Sequence, residues 1–142
     1  MAKGYSMAQS WAALIGRILI SLIFIISGIH KITGFDATVS TLAQTGLPSP
    51  RWLSILSIIF ELGGGILVFF GLFTRFGAFL LLVFVLLVTF VFHRFWVHEP
   101  SDMLNQMHHF MKNFSIIGAL LYIMAFGAGR LSFDSGRYRR AE

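Results

Sequence analysis

The sequence predicts an all-α integral membrane protein, a four-helix bundle with a short interfacial helix between its first and second spanning helices. Three observations carry that prediction. Of 142 residues, 56% are hydrophobic and only 12% charged, with a mean hydropathy of +0.79, a balance that belongs to membrane proteins and not to soluble domains. The apolar residues gather in four runs, about 11–32, 52–73, 76–97 and 110–126, each close to the roughly 20 residues that cross a bilayer core as a helix. None alternates in the manner of a barrel strand, and uninterrupted runs of this length satisfy their own backbone hydrogen bonds in lipid only as helices.

Four spans and their connections occupy nearly the whole chain, so residues 1–142 are expected to form a single transmembrane domain. The first run contains Arg17 and continues to Lys31, is too long for a signal-peptide core and has no small-residue cleavage pattern after it; a retained helix is expected. Between Gly34 and Pro50 the sequence reads as a short helix, with Asp36 as N-cap, 37–44 helical, Gly46 as terminator, and Pro48 and Pro50 as stops. Val39, Leu42 and Ala43 would share one face. A connector lying on the bilayer surface is the expectation, and a lid over the helix ends is the alternative.

The second and third runs are joined by the tight segment Gly71-Leu72-Phe73-Thr74-Arg75 and so form an antiparallel hairpin. Residues Trp96 to Gln106, with Glu99 and Asp102, are expected to be a polar loop. A basic tail, 130–142, carries Arg130, Arg137, Arg139 and Arg140. The basic residues are otherwise scattered, which fits membrane flanks in contact with lipid head groups and not a nucleic-acid surface. Excess positive charge near Lys3, at the Arg75 turn and in the tail places both termini in the cytoplasm.

Glu61 is the one charge between Trp52 and Phe73. A carboxylate in the middle of a spanning helix costs about 2.5–3.5 kcal/mol on insertion scales, so it faces the bundle interior, has a partner and marks a functional site. Arg17, about 9 Å into the first helix from the same side at 1.5 Å per residue, is one candidate partner; snorkelling to the interface is the other use of Arg17. Gly63, Gly64 and Gly65 next to Glu61 serve either close helix approach or a space for a flat ligand. At the opposite end, His30, Lys31, His93, Arg94, Lys112, Asn113 and Arg51 converge in an antiparallel bundle, either as interfacial anchors or as a site for an anionic or quinone-like head group.

The chain has no cysteine, so disulfides, thiolate metal sites and dithiol redox chemistry are excluded, and a redox role requires a bound cofactor. Its five histidines show neither His-x-x-x-His nor Glu-x-x-His spacing. No metal, haem or flavin is indicated.

Taken in order, Arg17, Ser27-Gly28-Ile29-His30-Lys31, Glu61-Leu62-Gly63-Gly64, Gly71-Leu72-Phe73-Thr74-Arg75, Phe92-His93-Arg94-Phe95-Trp96, Lys112-Asn113 and Leu131-Ser132-Phe133-Asp134 resemble the DoxX family of bacterial four-helix inner-membrane proteins. The resemblance covers nearly the whole chain. It implies a compact inner-membrane bundle related to the membrane subunit of thiosulfate:quinone oxidoreductase, with Arg17, Lys31, Glu61, His93 and Asn113 at the family's recurrent polar positions. Two readings follow. In the first, the protein is a component of an oxidoreductase system: Glu61 and His93 exchange protons with a quinone, Arg17, His30, Lys31, Lys112 and Asn113 bind it, and a soluble or membrane partner donates electrons. In the second, it is a non-enzymatic accessory, binding or permeation protein closed by an Arg17–Glu61 ion pair. Assembly with a second copy is open in both.

Overall fold

The computed structural model describes residues 6–138, and among these no strand occurs. The first helix, α1, spans Met7–Thr33. It starts earlier than hydropathy suggests because Ser6 caps it: the Ser6 hydroxyl accepts from the Gln9 N–H at 3.2 Å, and the Gln9 side chain accepts from the Ser6 N–H at 2.8 Å. Gly34 ends α1 by donating to the His30 carbonyl at 2.9 Å and starts α2, Phe35–Gln44, by accepting from Thr38 N–H at 3.0 Å. Asp36, expected as the cap of α2, lies instead in its first turn. The inward face of α2 is Phe35, Thr38, Val39 and Leu42, all half-buried, whereas Ala43 stays exposed.

Pro50 occupies the first turn of α3, Pro50–Phe70, where its missing N–H costs no hydrogen bond. One turn of α3, Ile59–Gly63, is a π-bulge centred on Glu61. The antiparallel return is α4, Thr74–Phe92, and a short 3-10 turn, Phe95–Val97, leads to α5, Pro100–Phe126. Here the structure corrects the sequence reading. The expected loop from Trp96 to Gln106 is helical from Pro100 onward, because a helix with Pro at its start and Asp102 in its first turn forms whether or not its side chains are apolar. Hydropathy marks the part of a helix that sits in lipid, and α5 begins before that part.

The helices pack in sequence order, with α3 between α1 and α4, while α5 leans on α4 and barely meets α1. Glycines set the close approaches. A β-carbon on Gly64 would meet Leu81 at 2.7 Å, one on Gly77 would meet Leu67 at 2.7 Å, and one on Gly65 would meet Ile25 at 3.0 Å. The Gly64–Gly65 pair therefore serves helix packing, as small residues do in membranes, and of the three consecutive glycines Gly63 alone has open space beside it. The small core comprises Phe24, Val68, Ala78, Leu81, Val85 and Leu120. Large apolar side chains such as Leu19, Trp52, Leu87, Tyr122 and Phe126 face outward, as expected of four helices each long and apolar enough to cross a membrane.

After α5 the chain folds back beneath the helix ends and is clasped there. Arg17 donates from Nη1 to the Ala128 carbonyl and from Nη2 to the Leu131 carbonyl, each at 3.0 Å. Asp134 accepts from the N–H groups of Phe73 and Thr74 at 2.9 Å and from the Thr74 hydroxyl at 2.7 Å, which caps α4. Gly71, at φ +70°, cannot carry a side chain, since a β-carbon would collide with Arg17 and Ser132. The start of α1, the Gly71–Arg75 turn and the 127–134 segment thus share one end of the bundle. A short helix, α6 (Ser135–Tyr138), follows. Lys3, Arg139 and Arg140, on which the reading of the basic termini partly rests, lie outside the described residues.

This clasp makes a graded prediction. Arg17→Ala strands the buried Ala128 carbonyl at about 1–3 kcal/mol and also loses the part-buried bond to Leu131, whereas Asp134→Ala removes a cap, typically about 1 kcal/mol. Thermal unfolding in detergent should rank Arg17→Ala below Asp134→Ala, and both below the lipid-facing control Leu19→Ala. Equal melting of Arg17→Ala and the control would remove the clasp from the account.

Candidate functional site

Glu61 is buried, only 4% exposed, and both carboxylate oxygens are engaged by α1. Lys31 Nζ donates to Oε2 at 2.6 Å and Ser27 Oγ donates to Oε1 at 2.9 Å. Ser27 and Lys31 are four residues apart, so they stand one turn above the other on the same face of α1. The Lys31 ammonium also sits over the Phe84 ring of α4, 4.9 Å from its centroid, a contact a cation makes with the negative face of an aromatic ring. In a low-dielectric interior neither charge is tolerable alone, and each lowers the cost of the other.

The Arg17–Glu61 pair entertained from the sequence does not form. Register explains why. Gly28 packs on Leu62, Gly65 on Phe24 and Ile25, and Gly71 on Arg17. The antiparallel contact between α1 and α3 therefore sets Glu61 opposite the Ser27–Lys31 turn and Arg17 opposite the far end of α3. Arg17 lies ten positions before Ser27, roughly 15 Å along the axis, and its guanidinium is spent on the C-terminal carbonyls.

Beside the pair lies an apolar cavity of about 670 Å³. Helix α2 and the segment after it roof the cavity through Thr38, Thr41, Leu42, Leu47 and Pro48; Leu53, Leu56, Ser57 and Phe60 of α3 and Phe84, Leu87, Val88, Val91 and Phe92 of α4 form its walls. Lys31 is the one charged residue lining it. The 34–50 segment therefore lines one side of the cavity, which stays partly open past the outward-facing Leu56 and Leu87. The segment's inward face is pinned by Arg51, whose guanidinium lies 5.6 Å from the Phe35 ring centroid.

The remaining predicted site residues lie elsewhere. His93 Nδ1 pairs with the Gln106 side-chain oxygen at 2.9 Å and its ring stacks on His109 at 5.0 Å between centroids. Gln106 donates to Asp102 at 3.1 Å, and Lys112 Nζ meets His109 Nδ1 at 3.3 Å. Asn113 is buried between α4 and α5, donating to Thr89 Oγ at 2.9 Å, while Thr89 donates to the Val85 carbonyl at 2.6 Å. His93 and Asn113 thus belong to the α4–α5 contact, Lys112 is exposed on α5 beside His109, and none of the three lines the cavity. His30 is exposed and lines an outer groove next to Lys31. Among the described residues no group of three His, Asp or Glu side chains is placed to hold a metal. Sequence reasoning missed Ser27 as a ligand of Glu61 and Phe84 as the ring beneath Lys31. The Ser27–Lys31 spacing at the end of α1 was the available signal for the first, and nothing local marks Phe84.

Comparison with known proteins agrees with this architecture. The family model described as DoxX matches residues 12–94. Inner membrane protein YphA of Escherichia coli K12 is 36% identical over 130 residues, covering 92% of this chain and 93% of its own. Inner membrane protein YqjF of the same organism is 35% identical over 121 residues, covering 85% and 88%. A Bacillus subtilis 168 protein named "Putative oxidoreductase CatD" is 39% identical over 59 residues, 42% of each chain. No solved structure matches. Four apolar helices and relatives of this kind make the chain a multi-pass inner-membrane protein. With a family model spanning more than half of its residues and a relative aligned over nearly all of them, the chain belongs to the DoxX family.

Proposed function

We propose that this protein is a membrane component of an oxidoreductase system and binds a quinone or similar hydrophobic redox molecule in the cavity beneath α2. The observation that carries the reading is an apolar, partly open cavity whose single charged lining group is Lys31, held by Glu61. Its volume of about 670 Å³ lies within the roughly 300–1,000 Å³ typical of small-molecule sites, which are mostly apolar with few placed polar groups. An ammonium has three N–H donors. One goes to Glu61, so another is free for a carbonyl oxygen of the head group, while the apolar chain lies along α3 and α4. Reduction of a quinone to a quinol takes two electrons and two protons. The Lys31–Glu61 pair supplies exchangeable protons within reach of the head group, and a partner protein supplies the electrons. The relative named as an oxidoreductase supports a redox role, over less than half of the chain. His93 has no place in this assignment, because it lies outside the cavity.

Orientation follows from charge. Arg17, Arg75 and Arg130 lie at or towards the end of the bundle where α1 begins, and Lys31, Arg51, Arg94 and Lys112 towards the other; in sequence, Lys3 precedes α1 and Arg137, Arg139 and Arg140 follow Arg130, which weights the basic residues to the terminal segments. The positive-inside rule then puts both termini in the cytoplasm and the cavity in the outer half of the membrane.

Three measurements test these statements. First, a double-mutant cycle: Lys31→Met strands a buried carboxylate and should destabilise by about 3–5 kcal/mol, whereas Lys31→Met with Glu61→Gln should recover most of that loss; additive losses would mean that the pair is not coupled. Second, wild-type protein in mild detergent should bind a ubiquinone or menaquinone analogue. Val88→Trp, which fills the cavity from its α4 wall, should weaken binding by at least roughly tenfold at unchanged melting temperature, about 1.4 kcal/mol of lost affinity. Undiminished binding would move the ligand elsewhere, and binding without turnover by any donor would favour a non-enzymatic carrier or accessory. Third, the chain lacks cysteine, so a single Thr45→Cys should be labelled by a membrane-impermeant maleimide in intact cells and Gly136→Cys should not; the reverse pattern inverts the topology.

A further inference from the structure

Lys31 faces two recesses. Besides the apolar cavity, it lines an open groove of about 540 Å³ on the outer side of α1, where α2 crosses it. We propose that this groove binds the phosphoryl group of an anionic phospholipid, with the acyl chain lying along α1. The groove is graded in polarity along the helix. Ile23 and Ile26, 43% and 51% exposed, form its foot, and His30 and Lys31 form its head. From Ile23 to Lys31 is eight residues, roughly 12 Å along the helix axis, which matches a head group at the interface above the first methylenes of a lipid chain.

The donors are identifiable. The Thr38 and Thr41 hydroxyls donate to the Gly34 and Ala37 carbonyls of their own helix at 3.1 and 3.0 Å, so they have no proton left for an anion. His30 makes no side-chain hydrogen bond with any described residue, and Lys31 retains N–H groups beyond the one given to Glu61. The anion therefore rests on His30 and Lys31. Of the nearby carboxylates, Glu61 is engaged by Lys31 and Ser27, and Asp36 does not line the groove. A free phosphate would use the head of the groove and leave Ile23 and Ile26 without a role, and this is why the lipid is the better occupant. A phosphoryl oxygen on Lys31 would share that ammonium with Glu61, so the occupant of the groove would bear on the pair at the wall of the cavity. The proposal does not rest on the quinone reading.

The test uses full-length protein, delipidated in a non-ionic detergent and titrated separately with phosphatidylglycerol, phosphatidylcholine and sodium phosphate. Retained lipid is read by native mass spectrometry and stability by melting temperature. Phosphatidylglycerol should be retained over phosphatidylcholine by about fivefold, the discrimination one cation near an anionic head group supports. The groove-filling Ala37→Trp should abolish that preference and His30→Leu should reduce it, both leaving quinone-analogue binding intact, which separates failure here from failure of the cavity assignment. Equal retention of both lipids, or a preference unchanged in both variants, overturns the proposal. Protection by phosphate equal to that by phosphatidylglycerol overturns the lipid assignment and gives the groove to a soluble anion.

Discussion

A polar group inside hydrocarbon has only its own chain to bond to, and this constraint organises the molecule. The buried polar side chains show how it is met. Ser21 and Ser54 return their hydroxyl protons to carbonyls within their own helices. Asn113 is satisfied across α4 and α5 by Thr89. Arg17 takes the carbonyls left free where α5 ends, and Glu61 takes a lysine and a serine from α1. The contacts of Arg17, Glu61 and Asn113 join segments distant in sequence, so satisfying these polar groups and assembling the bundle are one process.

The polar positions that the DoxX resemblance brings together divide by location. Arg17, with Gly71, Thr74 and Asp134, closes the end where the termini lie, and its role is to hold the C-terminal segment under the helix ends. Lys31 and Glu61 stand towards the opposite end, against empty apolar volume. His93 and Asn113 tie α4 to α5. Only the second group combines charge, burial and space, the combination that distinguishes a place where chemistry or binding occurs from a place where structure is fastened.

The π-bulge at Ile59–Gly63 belongs to the same division. Widening one turn of α3 reorients Glu61 relative to the glycine face that follows it, so the helix presents its carboxylate to α1 while Gly64 still admits α4 and Gly65 still admits α1. Such bulges recur at functional sites because an ordinary helix fixes the angle between neighbouring side chains. Helix α2 lies between the cavity and the outer groove, with Thr38 and Thr41 lining both, and Lys31 is the charged residue that the two recesses share.

By itself the sequence determined the helical class, the four spans, the hairpin at Gly71–Arg75, the short helix after Gly34 and that Glu61 faces inward to a partner. All of these follow from hydropathy, turn chemistry and the cost of a charge in lipid, which are properties of one segment at a time. The partner of Glu61 was not legible, and neither was the helical start of α5 at Pro100, because a polar stretch gives no hydropathy signal for a helix that projects beyond the apolar layer. Choosing Lys31 over Arg17 required the register of α1 against α3. That register is set by glycines and the side chains they admit, Gly28 with Leu62 and Gly65 with Ile25, pairs that no local pattern connects. The cavity is likewise a property of how α2, α3 and α4 fail to fill the space between them, and only the tertiary structure decides where packing stops.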